Sequence, residues 1–209
     1  MKNLTVINHP LAQHKLSIIR DKETPTILFR ALIKEVGILL AYTVTQDLPL
    51  EDVQVTTPLT TMTGQKIAGK KLVFAPVLRA GAGMMDGFLE VCPAAKIGHI
   101  GIYRDHKTLE AKQYLFRMPE DVSQREVVII DPMLATGNSA VAAIEAVKKF
   151  NPKRIKLATL ISAPEGIKHV NDQCPDVSIF TVAVDQKLND SAYIVPGLGD
   201  AGDRIFGTV

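Results

Sequence analysis

The apolar positions of this chain follow two different periods. Ile27, Leu28, Ala31, Leu32, Val36, Leu39 and Leu40 recur at helical spacing, which predicts a long packed helix over residues 25–46. Thr24-Pro25 reads as an N-cap followed by proline at the first helical position. Residues 53–69 are rich in threonine and carry turn signals at Pro58 and Gly64. They predict a hairpin or arm outside the main sheet. Beyond them the pattern alternates, with strands predicted at 71–78, 97–103, 126–131, 154–161 and 178–184 and helices at 82–91, 138–150 and 163–173. Strand and helix in turn specify an α/β fold, a mainly parallel sheet flanked by helices, in one domain over residues 1–209.

Ligands of such sheets sit beyond the carboxyl ends of the strands. The first of these ends leads into Arg79-Ala80-Gly81-Ala82-Gly83, the next into Arg104-Asp105, and the third reaches Asp131. One arginine alone reads as a surface salt bridge. Two arginines with a glycine-rich turn point to an anionic ligand, because guanidinium groups fork onto phosphate oxygens. Val127 to Ile130 form a continuous apolar run, the mark of a strand covered on both faces. An acid at its tip is poorly solvated unless paired or hydrogen-bonded. Residues 135–139 then supply small side chains, hydroxyls and backbone N–H groups at a helix start, which makes an anion cradle. By spacing alone the same loop is equally an ordinary strand-to-helix turn capped by Ser139.

Two familiar phosphate motifs come close and fail. Gly64, Gly69 and Lys70 have the spacing of a Walker A loop, but Lys71 replaces the metal-binding hydroxyl and a strand follows instead of a helix. This stretch reads as a turn. Gly81, Gly83 and Gly87 approximate a dinucleotide fingerprint, with the third glycine one residue late.

Composition narrows the partners. A net charge of +2, dispersed along the chain, argues against a nucleic-acid partner. No apolar stretch is long enough to span a bilayer, so no membrane partner is expected. Two cysteines far apart, with no metal-ligand spacing and no signal-peptide pattern, suggest a cytoplasmic setting.

The stretch Asp131-Pro132-Met133-Leu134-Ala135-Thr136-Gly137-Asn138-Ser139 resembles the phosphoribosyl-pyrophosphate loop of the phosphoribosyltransferases. The Asp131-Pro132 form, where many members have two adjacent acids, resembles the uracil phosphoribosyltransferase family. So do Leu78-Arg79-Ala80-Gly81, Tyr103-Arg104-Asp105, His9-Pro10-Leu11 and the tail from Tyr193 to Arg204. Asn138 stands where glycine is commoner, and asparagine tolerates unusual backbone angles.

The resemblance implies a type I phosphoribosyltransferase fold with a β-arm near 53–69 and a C-terminal base-binding hood near 185–209. It implies transfer of a phosphoribosyl group from phosphoribosyl pyrophosphate to uracil, giving UMP and pyrophosphate, with Mg²⁺ held through the pyrophosphate. Arg79, Arg104, Asp200 and every residue from Asp131 to Ser139 are expected at the sugar donor. Ile194, Gly199, Asp200 and Ala201 are expected at uracil, and Asp131, Arg79 and Asp200 in the chemistry. The tail by itself also reads as a glycine-rich loop packed for shape. Residues 104–113 read either as a closing lid or as a plain exposed hairpin. GTP activation and a homodimer or larger assembly are implied too, although no residue marks a GTP site. Two other readings compete: an RNA-binding nucleotide sensor on the same fold, and a nicotinamide-dependent dehydrogenase suggested by the Gly81–Gly87 turn.

Overall fold

A computed structural model of the chain describes residues 3–70, 72–104 and 111–208, without the side chains of Arg104 and Ala111. Its central strands are β4 (Val73–Leu78), β6 (His99–Arg104), β8 (Glu126–Ile130), β10 (Arg154–Ser162) and β11 (Ser178–Val184). All five answer to predicted strands. They pair in parallel in the order β11-β10-β8-β4-β6. A short β1 (Leu4–Val6) adds in parallel beyond β11, and β7 (Ala111–Arg117) closes the other edge antiparallel to β6. The predicted strand at 97–103 is split into β5 (Lys96–Ile97) and β6, both paired with β4.

Alternation along β8 explains the continuous apolar run. Val128 and Ile130 enter one core, and Val127 and Ile129 enter the other, all fully buried. The first core is covered by α1 (Pro10–Arg20), α2 (Thr26–Val44), α3 (Ala82–Val91) and α6 (Ala201–Phe206). The second is covered by α4 (Asn138–Lys148) and α5 (Pro164–Gln173). The mainly parallel, helix-flanked sheet therefore stands as expected.

Several local expectations change. Thr24 does not cap α2, because its hydroxyl donates to the carbonyl of Ile18 at 2.6 Å, and Pro25 takes the N-cap position without a side-chain bond. The arm is β2 (Leu50–Thr56) paired antiparallel with β3 (Thr61–Ile67), starting earlier than residue 53. Gly64 lies inside β3 opposite Val53, so the turn is at 57–60, closed by Thr57 N–H to Thr60 O at 2.9 Å. The near-Walker stretch thus begins as strand and not as turn. Helix α1 was not predicted. Its buried stripe is three residues, Ala12, Leu16 and Ile19, set among polar neighbours.

Candidate active site

The chain runs outward from β4 to β6 in one direction and from β8 to β10 and β11 in the other. The carboxyl ends of β4 and β8 therefore flank the crevice where the strand order reverses, the usual ligand position in such sheets. A cleft of about 530 Å³ opens there. It is lined by Val77, Leu78, Arg79, Ile102, Asp131, Ala135 and Ser139, together with Ile194, Gly199, Asp200 and Ala201 of the C-terminal segment. Residues 79, 131, 135, 139, 194 and 199–201, far apart in sequence, thus meet on one cavity.

Asp131 follows β8 directly. Its N–H donates to Ala158 O at 3.1 Å, which holds the backbone to β10. Pro132 has no N–H, but its carbonyl accepts from Leu160 and Ile161, both at 3.0 Å. A short β9 (Met133–Leu134) then resumes pairing with β10. The chain jogs at Asp131-Pro132, leaving the carboxylate on the cleft with the Met133 N–H at 3.3 Å. Burial pushes the Asp131 carboxyl up to about 7, against the weaker opposing effect of that N–H.

Gly137 makes the turn into α4. It is the N-cap, in the left-handed region at φ 87°, with no side-chain cap bond. Ser139 therefore does not cap the helix; it lines the cleft. Asn138 is the first residue of α4 and lies outside the left-handed region, so the unusual backbone angle falls on Gly137 and asparagine is accommodated without strain. The N–H groups of the first turn have no intrahelical partners and carry the positive end of the helix dipole. The Thr136 hydroxyl accepts weakly from the Asn138 N–H at 3.4 Å. Sequence reasoning missed Gly166. A Cβ there would lie 2.3 Å from Ala135 O, so the absence of a side chain lets α5 support the loop from behind. Nothing local marks this glycine, since its partner is about thirty residues away in sequence.

Arg79 stands on the cleft wall after a cis Leu78–Arg79 peptide. Its guanidinium is 3.1 Å from the Asp203 carboxylate and about 5.9 Å from the centre of the Phe206 ring. Arg104 ends β6, two residues after the cleft residue Ile102, and its side chain lies outside the described residues. Most of the 104–113 segment also lies outside them. Asp200 borders the cleft and caps α6, accepting from Asp203 N–H at 2.9 Å.

A family model for uracil phosphoribosyltransferase matches residues 6–208. The chain belongs to the uracil phosphoribosyltransferase family. A uracil phosphoribosyltransferase from Legionella pneumophila (strain Lens) is 59% identical over 203 residues, covering 97% of this chain and 95% of that one. A solved protein from Aquifex aeolicus shares 39% identity and a TM-score of 0.92, covering 97% of each chain. An adenine phosphoribosyl transferase from Trypanosoma brucei, at 11% identity, shares the fold with a TM-score of 0.63 over 96% of this chain and 89% of that one.

Membership of the uracil phosphoribosyltransferase family leaves the two competing readings without support. The glycines behind the dehydrogenase reading have packing reasons. A Cβ on Gly81 would lie 2.3 Å from Ile130 O, and one on Gly87 2.2 Å from Lys34 O, so they let α3 sit close against β8 and α2.

Proposed function

We propose that this uracil phosphoribosyltransferase family member transfers the phosphoribosyl group of 5-phospho-α-D-ribose 1-diphosphate to uracil, forming UMP and diphosphate in pyrimidine salvage. One observation carries the reading. The Asp131 carboxylate, the start of α4 and the glycine-rich C-terminal segment share one cleft at the strand switch point.

Each part suits one portion of the reactants. Residues 136–139 take the 5′-phosphate, where main-chain donors and the dipole of α4 favour an anion. Pro132, Met133, Leu134 and Ala135 set the path of the loop between strand and helix. Asp131 accepts from the ribose hydroxyls. Their donation favours its ionised form, which then stabilises positive charge growing at the anomeric carbon. Arg79 and Arg104 bind the diphosphate through guanidinium donors.

Uracil is neutral and planar, with an N–H between two carbonyls. The backbone near Ile194, Gly199, Asp200 and Ala201 matches it at close range, and Gly199, at φ 80°, supplies a turn that side-chain-bearing residues rarely adopt. Asp131 and Asp200 both border the cleft. Mg²⁺ is commonly held partly by substrate phosphates, so the diphosphate would carry it and Asp200 would face the diphosphate or the metal-bound water. Carried there, it would supply positive charge to the leaving diphosphate.

A homodimer or larger assembly, GTP as an activator and a cytoplasmic setting belong to the same proposal. Leu50, Val55, Leu59, Met62 and Ile67 are exposed along the β2–β3 arm, which gives a partner copy apolar surface to cover. Cys92 and Cys174 are both thiols, as a reducing compartment requires. The test is UMP formation across a panel of nucleobases, with and without Mg²⁺ and GTP. Uracil-dependent UMP release is expected. Consumption of another base with uracil left untouched would overturn the reading.

A further inference from the structure

The C-terminal segment that would read the base is rich in glycine, with Gly197 and Gly199 both in the left-handed region. Such a backbone has much freedom to lose and little of its own to hold it. Yet a base read by main-chain N–H and C=O groups is recognised only as sharply as those groups are fixed. The anchor comes from the opposite end of the sequence.

Arg20 is the last residue of α1. It grips Asp185, just past β11, with two nitrogens at 2.8 and 2.5 Å. Nη1 of the same guanidinium donates to Gly197 O at 2.7 Å, and Asp185 accepts from Gly197 N–H at 2.9 Å. One glycine is therefore held at both its N–H and its carbonyl by a single ion pair. The Asp185 side chain is 3% exposed, so the pair works in a setting where leaving either partner alone is costly.

Arg204 makes a second tie. It donates to Leu198 O and Ile19 O, both at 2.8 Å, and to Asp21 O at 2.6 Å. Its guanidinium lies 4.3 Å from the centre of the Phe29 ring of α2. Two arginines thus bolt residues 197 and 198 onto the final turn of α1, whose carbonyls need partners in any case. Ion pairs of this geometry are directional, because the planar fork fits one orientation.

We propose that Arg20, Asp185 and Arg204 are positioning residues for base recognition, acting through the Gly197–Leu198 backbone and leaving the sugar-phosphate half of the cleft to Asp131 and α4. This rests on the uracil reading above. The 5′-phosphate and ribose part of the donor site is anchored separately, by β8, β9 and α4, so KM for the donor responds less than KM for uracil.

The experiment is steady-state kinetics of the full chain with uracil and phosphoribosyl pyrophosphate varied in turn, on Arg20→Gln, Asp185→Asn and the milder Arg20→Lys, with thermal melting of each. Losing charge-assisted bonds to the loop raises KM for uracil roughly tenfold in Arg20→Gln, while KM for the donor moves by less than about twofold. Arg20→Lys, which keeps the charge and loses the fork, falls between wild type and Arg20→Gln. A folded Arg20→Gln protein with unchanged KM for uracil overturns the proposal, and so do two KM values that rise together. Wild type in the same assay keeps the questions apart: UMP formation by wild type upholds the uracil reading whatever the variants show.

Discussion

The guanidinium of Arg79, a residue of the cleft wall, meets the Asp203 carboxylate at 3.1 Å. Thr208 also donates to that carboxylate, at 2.6 Å. The cation proposed for the diphosphate is thus already in contact with the C-terminal helix that begins at Ala201, a residue proposed for the base. The pair is solvent-exposed, and exposed pairs contribute little. A diphosphate brings more negative charge than one carboxylate and displaces it readily. Arg79→Gln is expected to raise KM for phosphoribosyl pyrophosphate by roughly tenfold or more. Asp203→Asn is expected to change it by less than about threefold. Initial-rate measurements on the two variants check both, and equal effects would mean that Arg79 acts through Asp203 alone.

Asp131→Asn should lower turnover by at least roughly tenfold while the protein stays folded, because the amide cannot offer a negative charge to the anomeric centre. Turnover and circular dichroism on the same preparation test this. Unchanged turnover would remove Asp131 from the chemistry.

The raised pKa of Asp131 also has a pH consequence. Burial moves the carboxyl from the ordinary carboxylate range up to about 7. In kcat/KM for the sugar donor, which reports the free enzyme, an acid limb is expected with an apparent pKa near that value, absent in Asp131→Asn.

Stability should change with the opposite sense. Between the unfolded carboxyl's pKa and about 7 the native state holds a proton that the unfolded chain has released. Stability therefore falls as pH rises through that window. Asp131→Asn has no such cost, so its melting temperature should exceed wild type above about pH 7 and the gain should vanish near about pH 4. Melting curves across pH decide it.

Gly137→Ala would place a Cβ 3.0 Å from Gly166 O at a φ of 87°. A cost of about 1–3 kcal/mol is expected for the backbone alone. Because the same residue turns the chain into α4, weaker donor binding should accompany the loss. Donor titration by calorimetry and urea unfolding read the two effects separately.

The five central strands and helices α2 to α5 were legible because their signals are local, whereas α6, inside the glycine-rich tail, was not. Val127 to Ile130, a short continuous apolar run before a turn, read as a strand covered on both faces, with the acid that follows at its tip. The place of Asp131 after a strand and of residues 135–139 at a helix start was readable for the same reason: the acid, the small residues and the helix start lie within nine positions. Helix α1 was not legible, since Ala12, Leu16 and Ile19 make too sparse a stripe until α2 and the sheet cover them.

What the sequence determined by itself was the order of the central strands and of helices α2 to α5 and which residues stand at each strand end, because side-chain period and turn chemistry act between near neighbours. What only the tertiary structure decided was which ends meet. Arg20 reaches Gly197, Gly166 backs Ala135, and Asp203 touches Arg79 because the sheet order and the packing of helices on it bring distant segments within a few ångströms. No local pattern encodes such a distance.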